Sequence, residues 1–160
     1  MDRRHLLAGA ALAGTVLTAS ARAADDSTLI DRFAATLSAH DMAGFAALFA
    51  EDYVNHQTSA AVPPPPAGKT PKQLSVAFFA ARLAGIPDLR VTVETALAAD
   101  GKVAASFVYT GTHGGLYFGI APTGRKLRFT SCDIFRVTNN QFAEHWGMGD
   151  IAGVLAQLRA

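Results

Sequence analysis

The first half of the chain carries hydrophobic residues at spacings of three and four, a pattern typical of amphipathic helices. Residues 28–49 contain two such runs, separated by a break near His40, and Asp41 is placed to cap the second. After a short extended piece at residues 53–56, four consecutive prolines exclude a helix or a central strand and predict an extended loop. A third helix is predicted over residues 71–85, with proline in its first turn and glycine at its end.

From residue 88 onward the period of the hydrophobic pattern changes to two, which indicates β-strands. Tight turns are predicted at Asp100-Gly101 and Asn139-Asn140. The first strand begins near residue 88. Three more strands are predicted at residues 102–113, 127–137 and 141–146, and a short C-terminal helix follows them. Helices followed by an antiparallel meander indicate a single α+β domain with helices on one face of a curved sheet.

The first 23 residues have the layout of an export signal. Arg3 and Arg4 precede an uncharged run, which ends in the A-x-A pattern Ala21-Arg22-Ala23. The arginine pair predicts twin-arginine export, with ordinary secretion as the alternative. Residues 24–160 would then be a single mature domain, periplasmic or secreted, with no stable membrane anchor.

Charge and cysteine content narrow the possible partners. The signal carries three arginines and one aspartate of the chain's 14 basic and 13 acidic residues, so the mature domain has a formal charge of −1. No basic stripe remains to suggest nucleic acid as a partner. Cys132 has no possible intramolecular disulfide partner, and its position within a strand pattern favours a buried, inert thiol over a nucleophile.

Strand alternation places a carboxyl group among apolar side chains. Asp133 shares one face of its strand with the following residues: Leu127, Phe129, Ser131, Phe135 and Val137. Burial raises the pKa of a carboxyl group. It also costs free energy unless the group is hydrogen-bonded or ion-paired, so a buried carboxyl group has either such a partner or a functional role. We interpret Asp133 as an acid/base group in a pocket. The alternative is a structural aspartate paired with a backbone amide or an arginine.

Three histidines are further candidates. His113 is the last inward-facing residue of the strand predicted at residues 102–113, and the glycines around it would leave its ring open to a ligand. His56 precedes the proline loop. His145 stands beside Trp146 near the C-terminal helix. Taken alone, His56 would more often be a surface residue and Trp146 a core residue. No ligand spacing that predicts a zinc or iron centre occurs.

Five stretches together resemble the SnoaL-like polyketide cyclases, also called ester cyclases: YVNHQ (53–57), IPDLRVTVE (86–94), GTHGGLYFGIAPTGRKL (111–127), DIFRV (133–137) and EHWGMGDIAGVLAQL (144–158). The resemblance extends over nearly the whole mature chain. It implies the nuclear transport factor 2-like fold, in which a cone-shaped, curved antiparallel sheet packs on N-terminal helices and encloses an apolar pocket.

For chemistry, the resemblance implies an intramolecular aldol condensation of a small apolar carbonyl compound, without metal or organic cofactor. Asp133 would move the proton, while His56, His113 and His145 would polarise carbonyls or orient the enolate. The residues expected to line the pocket are Tyr53, Phe78, Tyr109, Tyr117, Phe118, Phe135, Trp146 and Asp150. For Asp150, capping the last helix is an equally good interpretation.

Two other functions stay open. One is a non-catalytic periplasmic protein that binds a small hydrophobic molecule. The other is an isomerase or epoxide-hydrolase-like activity on the same fold. The outward row of the middle strands is only mildly polar, which predicts a homodimer or higher homo-oligomer formed through the sheet face.

Overall fold

The computed structural model describes residues 26–57 and 66–160. The predicted export signal, residues 1–23, and most of the proline loop lie outside these ranges. The helices are α1 (residues 26–38), α2 (Met42–Ala47), α3 (Pro71–Gly85) and α4 (Ile151–Arg159). The strands are β1 (Phe49–Asn55), β2 (Arg90–Ala99), β3 (Lys102–Thr112), β4 (Lys126–Thr138) and β5 (Gln141–Gly149).

The helix boundaries follow the predicted local signals. His40 adopts a φ of +58°, which breaks the chain between α1 and α2. Asp41 caps α2 by accepting a 2.8 Å hydrogen bond from the backbone N–H of Gly44. Helix α3 begins with a capping box formed by Thr70 and Gln73. The predicted break at His40, the cap at Asp41 and the start of α3 at Pro71 are confirmed, whereas the capping box was not predicted.

The sheet has the strand order β1-β5-β4-β3-β2. Strands β2 to β5 pair antiparallel, in agreement with the predicted meander. Strand β1 pairs in parallel with β5 and begins at Phe49, a residue that the helical pattern had included in the second helix. The sheet is therefore mixed, because the chain leaves β1 through α3 and returns to it only with the last strand.

The helices and the inner face of the sheet enclose an aromatic core. The ring of Phe33 on α1 lies 4.9 Å from Phe107 and 5.9 Å from Phe135, both on the sheet. Seven of the largest buried side chains are aromatic: Tyr109, Phe33, Phe45, Phe49, Phe107, Phe135 and Phe142. Among the described residues, no helix is long and apolar enough to cross a membrane.

The outer face of the sheet is uncovered in the described chain. Ile134 and Met148 on this face are 44% and 78% exposed. Cys132 lies in the same outward row of β4 and is exposed, so the prediction of a buried thiol is wrong. Strand alternation correctly placed Cys132 on this face. Whether a residue on the face is buried depends on a second layer that covers it, and the described residues form no such layer.

Candidate active site

The inner face of the sheet brings Asp133 of β4 together with His145 of β5. Asp133 Oδ1 lies 2.8 Å from His145 Nε2, and both side chains are at most one-tenth exposed. The second carboxylate oxygen, Oδ2, accepts a 2.6 Å hydrogen bond from the Ser131 hydroxyl. The ring of Phe135 stacks on His145 at 4.7 Å. Both oxygens of the Asp133 carboxyl group therefore take part in hydrogen bonds that fix its orientation.

A backbone donor fixes how His145 is protonated. The N–H of Gln57 donates to Asn55 Oδ1, which identifies that atom as the amide oxygen. His145 Nδ1 lies 3.0 Å from the same oxygen and must therefore donate its proton there. Since Nδ1 carries a proton, the contact between Nε2 and Asp133 needs one further proton. Asp133 and His145 form a one-proton pair that is either ionic or neutral.

Gly147 makes room for this pair. It lies directly opposite Asp133 in the β4–β5 ladder. A methyl group at position 147 would overlap both Asp133 Oδ1 and His145 Nε2. At Gly149, two residues further on, the nearest atom to such a methyl group would be Ser131 Cβ at 3.9 Å, an ordinary contact. The contact of Asp133 with His145 therefore depends on glycine at position 147.

A buried cation lies in the same interior. Arg82 of α3 is 7% exposed, and its guanidinium carbon lies 4.7 Å from the centre of the Tyr109 ring and 5.2 Å from that of Phe129. Its Nε donates a 3.1 Å hydrogen bond to the Tyr117 hydroxyl. Burial by itself lowers the pKa of Arg82, but Tyr117, Tyr109 and Asp133 together raise it above its ordinary value. Arg82 is therefore charged.

Hydroxyl groups connect Arg82 with Asp133. The Tyr109 hydroxyl lies 3.4 Å from Ser131 Oγ, which in turn donates to Asp133. Burial raises the pKa of Tyr109 to about 12, although Arg82 opposes the shift. Burial also raises the pKa of Tyr53 above its usual range, against a hydrogen bond with Ser75 and with a smaller contribution from Asp133. Both tyrosines therefore stay neutral and can donate a proton in a hydrogen bond.

A narrow cleft opens beside Arg82. The space between its walls is about 240 Å³ when its opening to solvent is included, but little more than one water molecule fits between the side chains as they stand, so a larger ligand requires them to move. Arg82, Tyr109 and Ser131 form its polar floor. The other lining residues are Tyr117, Phe118, Phe129, Thr130, Gly149, Asp150, Ile151 and Val154. Asp133 itself stands behind Ser131.

The structure places most of the predicted pocket residues in this region. Tyr109, Tyr117, Phe118 and Asp150 line the cleft. Asp150 also caps α4, since its Oδ1 accepts a 2.8 Å hydrogen bond from Gly153 N. Of the other four, Trp146 is on the outer face of the sheet, and three lie near the interior polar groups rather than in the cleft wall: Phe135 stacks on His145, the Phe78 ring centre lies 4.8 Å from the Arg82 guanidinium carbon, and Tyr53 is in the core.

His56 and Trp146 lie on the outer face of the sheet, which corrects their expected position in the pocket. Their rings stack at 4.6 Å, and His56 Nε2 lies 2.9 Å from Glu144 Oε2. The physical reason is a bulge in β5. Val137 pairs with Phe142 and Phe135 pairs with His145, so β5 uses one residue more than β4 over this interval. The extra residue turns His145 inward and Trp146 outward.

His113 is buried, whereas the sequence suggested a ring open to a ligand. It is 0% exposed, and its Nδ1 accepts a hydrogen bond from Thr123 N. The glycines after it close the chain onto α3, because Gly114 N and Gly115 N both donate to Gly85 O. Asp133 pairs with Ala105, eight residues before His113 on the β3 side, roughly 26 Å along an extended strand. His113, at the end of β3, is therefore too far from Asp133 to contact it.

Two groups of the site were missed from the sequence. Asn55 lies in the stretch YVNHQ directly before His56, which was the residue of this stretch predicted to belong to the site. Arg82 stands four residues after Phe78 and three after Phe79, on the apolar face of α3. A charged residue at that helical spacing was a signal that could have identified it.

The fold and the site define a class: a small α+β domain with a helix-covered sheet and an inward-facing acid–base pair. The sequence model of the family described as SnoaL-like polyketide cyclase matches residues 27–158. The chain belongs to this family, and its fold is the nuclear transport factor 2-like fold expected from the resemblance. None of the curated proteins gives a significant match.

Several solved structures share this fold. IdmH of Streptomyces antibioticus, provisionally described as a polyketide cyclase, is 28% identical with a TM-score of 0.71, over 84% of this chain and 99% of its own. AclR of Streptomyces galilaeus, provisionally described as a hydroxylase, is 23% identical with a TM-score of 0.72, over 86% and 82%. A SnoaL-like protein of Jannaschia species CCS1 is 19% identical with a TM-score of 0.70, over 86% and 93%.

Proposed function

We propose that this chain is an exported polyketide cyclase-like enzyme that closes a ring by cofactor-free aldol chemistry on a small carbonyl compound. The observation that carries the proposal is the one-proton pair of Asp133 and His145, next to a cleft whose floor holds Ser131, Tyr109 and Arg82. Membership of the SnoaL-like polyketide cyclase family supports the same class of reaction.

The ionic form of the pair provides the base. With the shared proton on His145 Nε2, Asp133 is a carboxylate stabilised by that donor and by Ser131. Ser131 covers Oδ2 on the cleft side, so a substrate carbon reaches the carboxylate when this hydroxyl turns away. The carbon–hydrogen bond then breaks, its proton moves to Asp133, and its electron pair forms an enolate.

The cleft floor provides the donors that the enolate needs. Tyr109 is a neutral hydroxyl in a buried position, and Arg82 is a fixed cation beside it. Both are in place before the charge develops, which is the condition for electrostatic stabilisation of an oxyanion. The enolate carbon then attacks a second carbonyl of the same molecule, a carbon–carbon bond forms, and the new alkoxide takes the proton back from Asp133. The overall reaction is an isomerisation that balances without another reactant.

Proton abstraction can be tested before the natural substrate is known. Aryl alkyl ketones such as propiophenone exchange the hydrogens beside the carbonyl slowly in D₂O, and NMR follows this exchange directly. We expect the mature protein to accelerate exchange above a buffer blank and above heat-denatured protein. If no ketone in a panel of such compounds exchanges faster, while the protein from its own host retains a ligand in native mass spectrometry, the protein is a binding module instead.

The export prediction can be tested separately. Replacing Arg3 and Arg4 with lysines is expected to keep most of the chain in the cytoplasm, because the twin-arginine machinery recognises the arginine pair. The measurement is the periplasmic fraction of the protein by immunoblot, with unchanged total expression as the control. Undiminished periplasmic protein in the lysine variant would indicate ordinary secretion.

We also propose that a second copy of the chain covers the outer face of the sheet. The ladder registers place Leu97, Ala104, Ile134 and Trp146 in one row across four strands. Leu97 is 74% exposed and Met148, in the next row, 78% exposed. A two-fold axis through this face would bury both rows against themselves.

Light scattering after size-exclusion chromatography tests this interface. We expect the mature protein to be a dimer and Met148→Glu to shift it to a monomer, because the substitution places like charges opposite each other in the interface. Leu116→Glu, at an exposed loop residue (68% exposed) away from the sheet face, is the matched control and leaves the dimer intact. A monomeric wild-type protein would contradict the proposal.

A further inference from the structure

The guanidinium of Arg82 forms no direct ion pair among the described residues, and Asp133 acts on its charge only from a greater distance. None of the described carboxylates lies within the 4.0 Å that defines an ion pair. Its Nε donates to the Tyr117 hydroxyl, and the Tyr109 hydroxyl is a second hydrogen-bond partner. Aromatic rings attract a cation through their faces, but they do not accept all five N–H groups of a guanidinium. A buried cation of this kind is costly unless an anion completes its surroundings.

The cleft gives an anion access to Arg82. Arg82 lines it, together with the hydroxyl-bearing side chains of Tyr109, Tyr117 and Ser131. Asp150 is the one carboxylate among the lining residues, and its Oδ1 is already engaged by the backbone of α4. The cleft floor is therefore rich in donors beside a positive charge.

We propose that Arg82 binds a carboxylate of the substrate, so that the substrate is a free organic acid rather than its neutral ester. A guanidinium matches a carboxylate in charge and in its two-oxygen geometry, whereas an ester offers no charge. A single guanidinium in a narrow cleft suits a monoanion. The rings of Phe129, Tyr109 and Phe118 favour an aromatic or otherwise flat acid.

The same arrangement orients the acid toward the base. Arg82 and Asp133 are separated only by the Tyr109 and Ser131 hydroxyls, which lie 3.4 Å apart. A carboxylate held at Arg82 leaves the carbons a few bonds away at the Ser131 side of the cleft, next to Asp133. With Arg82 occupied by the carboxylate, the Tyr109 hydroxyl is the donor that remains for the enolate oxygen. This use of the bound acid rests on the proposed function, but the anion site itself does not.

Ligand-detected NMR with benzoate, methyl benzoate and benzamide tests the site. We expect the mature protein to bind benzoate about tenfold or more tightly than either neutral analogue. Arg82→Met removes this preference and leaves the affinity for methyl benzoate unchanged, while Arg82→Lys keeps part of it. Arg128→Met, the same substitution at an exposed position of β4, is the matched control and keeps the full preference.

Stability separates a binding role from a structural one. Replacing a buried cation that has no direct ion pair with an apolar side chain of similar length removes its desolvation cost, which offsets the contacts that are lost. Arg82→Met is therefore expected to unfold at the same temperature as the wild type or higher, and benzoate stabilises the wild type alone. An Arg82→Met protein that folds but still prefers benzoate overturns the proposal, as does equal affinity of the wild type for benzoate and methyl benzoate.

Asp133→Asn distinguishes this inference from the proposed function. The variant is expected to keep the benzoate preference, because Arg82 binds the acid without Asp133. If the wild type prefers benzoate but exchanges no ketone hydrogens, the anion site stands and the cyclase proposal fails. If ketones exchange without any preference for acids, the cyclase proposal stands and the anion site fails.

Discussion

Asp133→Asn is expected to lower the rate of ketone hydrogen exchange by a factor of about 10² to 10⁴. The amide has nearly the same shape as the carboxyl group and can still contact Ser131 and His145. It cannot accept a proton from carbon, however, because its oxygen is far less basic than a carboxylate. The measurement is the exchange rate by NMR, with circular dichroism and thermal unfolding to show that the fold is intact.

The control for this variant is a substitution that removes the same charge at another position. Asp52 lies on β1 and is exposed, so Asp52→Asn is expected to leave the exchange rate unchanged. Activity that persists in a folded Asp133→Asn protein would show that Asp133 is not the base. Equal losses in both variants would point to net charge instead of the Asp133 carboxyl group.

Gly147→Ala is expected to separate Asp133 from His145 and to reduce the exchange rate by about two orders of magnitude. The added methyl group needs the space that the two contacting atoms occupy, so at least one side chain has to move. A displacement of about 1 Å at a catalytic contact is enough for a loss of this size. We also expect a loss of stability of about 1–3 kcal/mol, because the site is overpacked.

Gly149→Ala is the matched control. It makes the same change on the same strand and the same face, two residues away, where the nearest neighbour of the new methyl group is 3.9 Å distant. Its activity and urea unfolding midpoint are expected to be close to those of the wild type. If Gly147→Ala exchanges ketone hydrogens at the wild-type rate, the contact between Asp133 and His145 is not needed for proton abstraction.

Local patterns in the sequence were sufficient for most of the helices and strands, except for the start of β1 and the end of β5, and for the position of Asp133 in the site. Alternation on β4 has a strict period of two and the β3–β4 ladder contains no bulge, so Asp133 could be assigned to the inner face, where it is 8% exposed. The cap at Asp41 and the capping box at Thr70 rest on hydrogen bonds within three residues, which the sequence specifies directly.

The partner of Asp133 could not be assigned in this way. Three histidines were candidates, and the choice among them depends on the register between strands. One extra residue in β5 reverses the faces of His145 and Trp146, and nothing in the local pattern marks the bulge. The distance of His113 from Asp133 likewise follows from the pairing of β3 with β4.

By itself, the sequence determined the helices, the meander, the family resemblance and the inward position of Asp133, because each depends on short-range periodicity or on motifs. The tertiary structure alone decided that His145 completes the pair, that Gly147 leaves space for it, and that Arg82 lies buried beside the cleft. These features join residues from different strands and from α3. The proximity of these residues is determined by strand register and by the packing of α3 on the sheet, which are long-range properties of the folded chain.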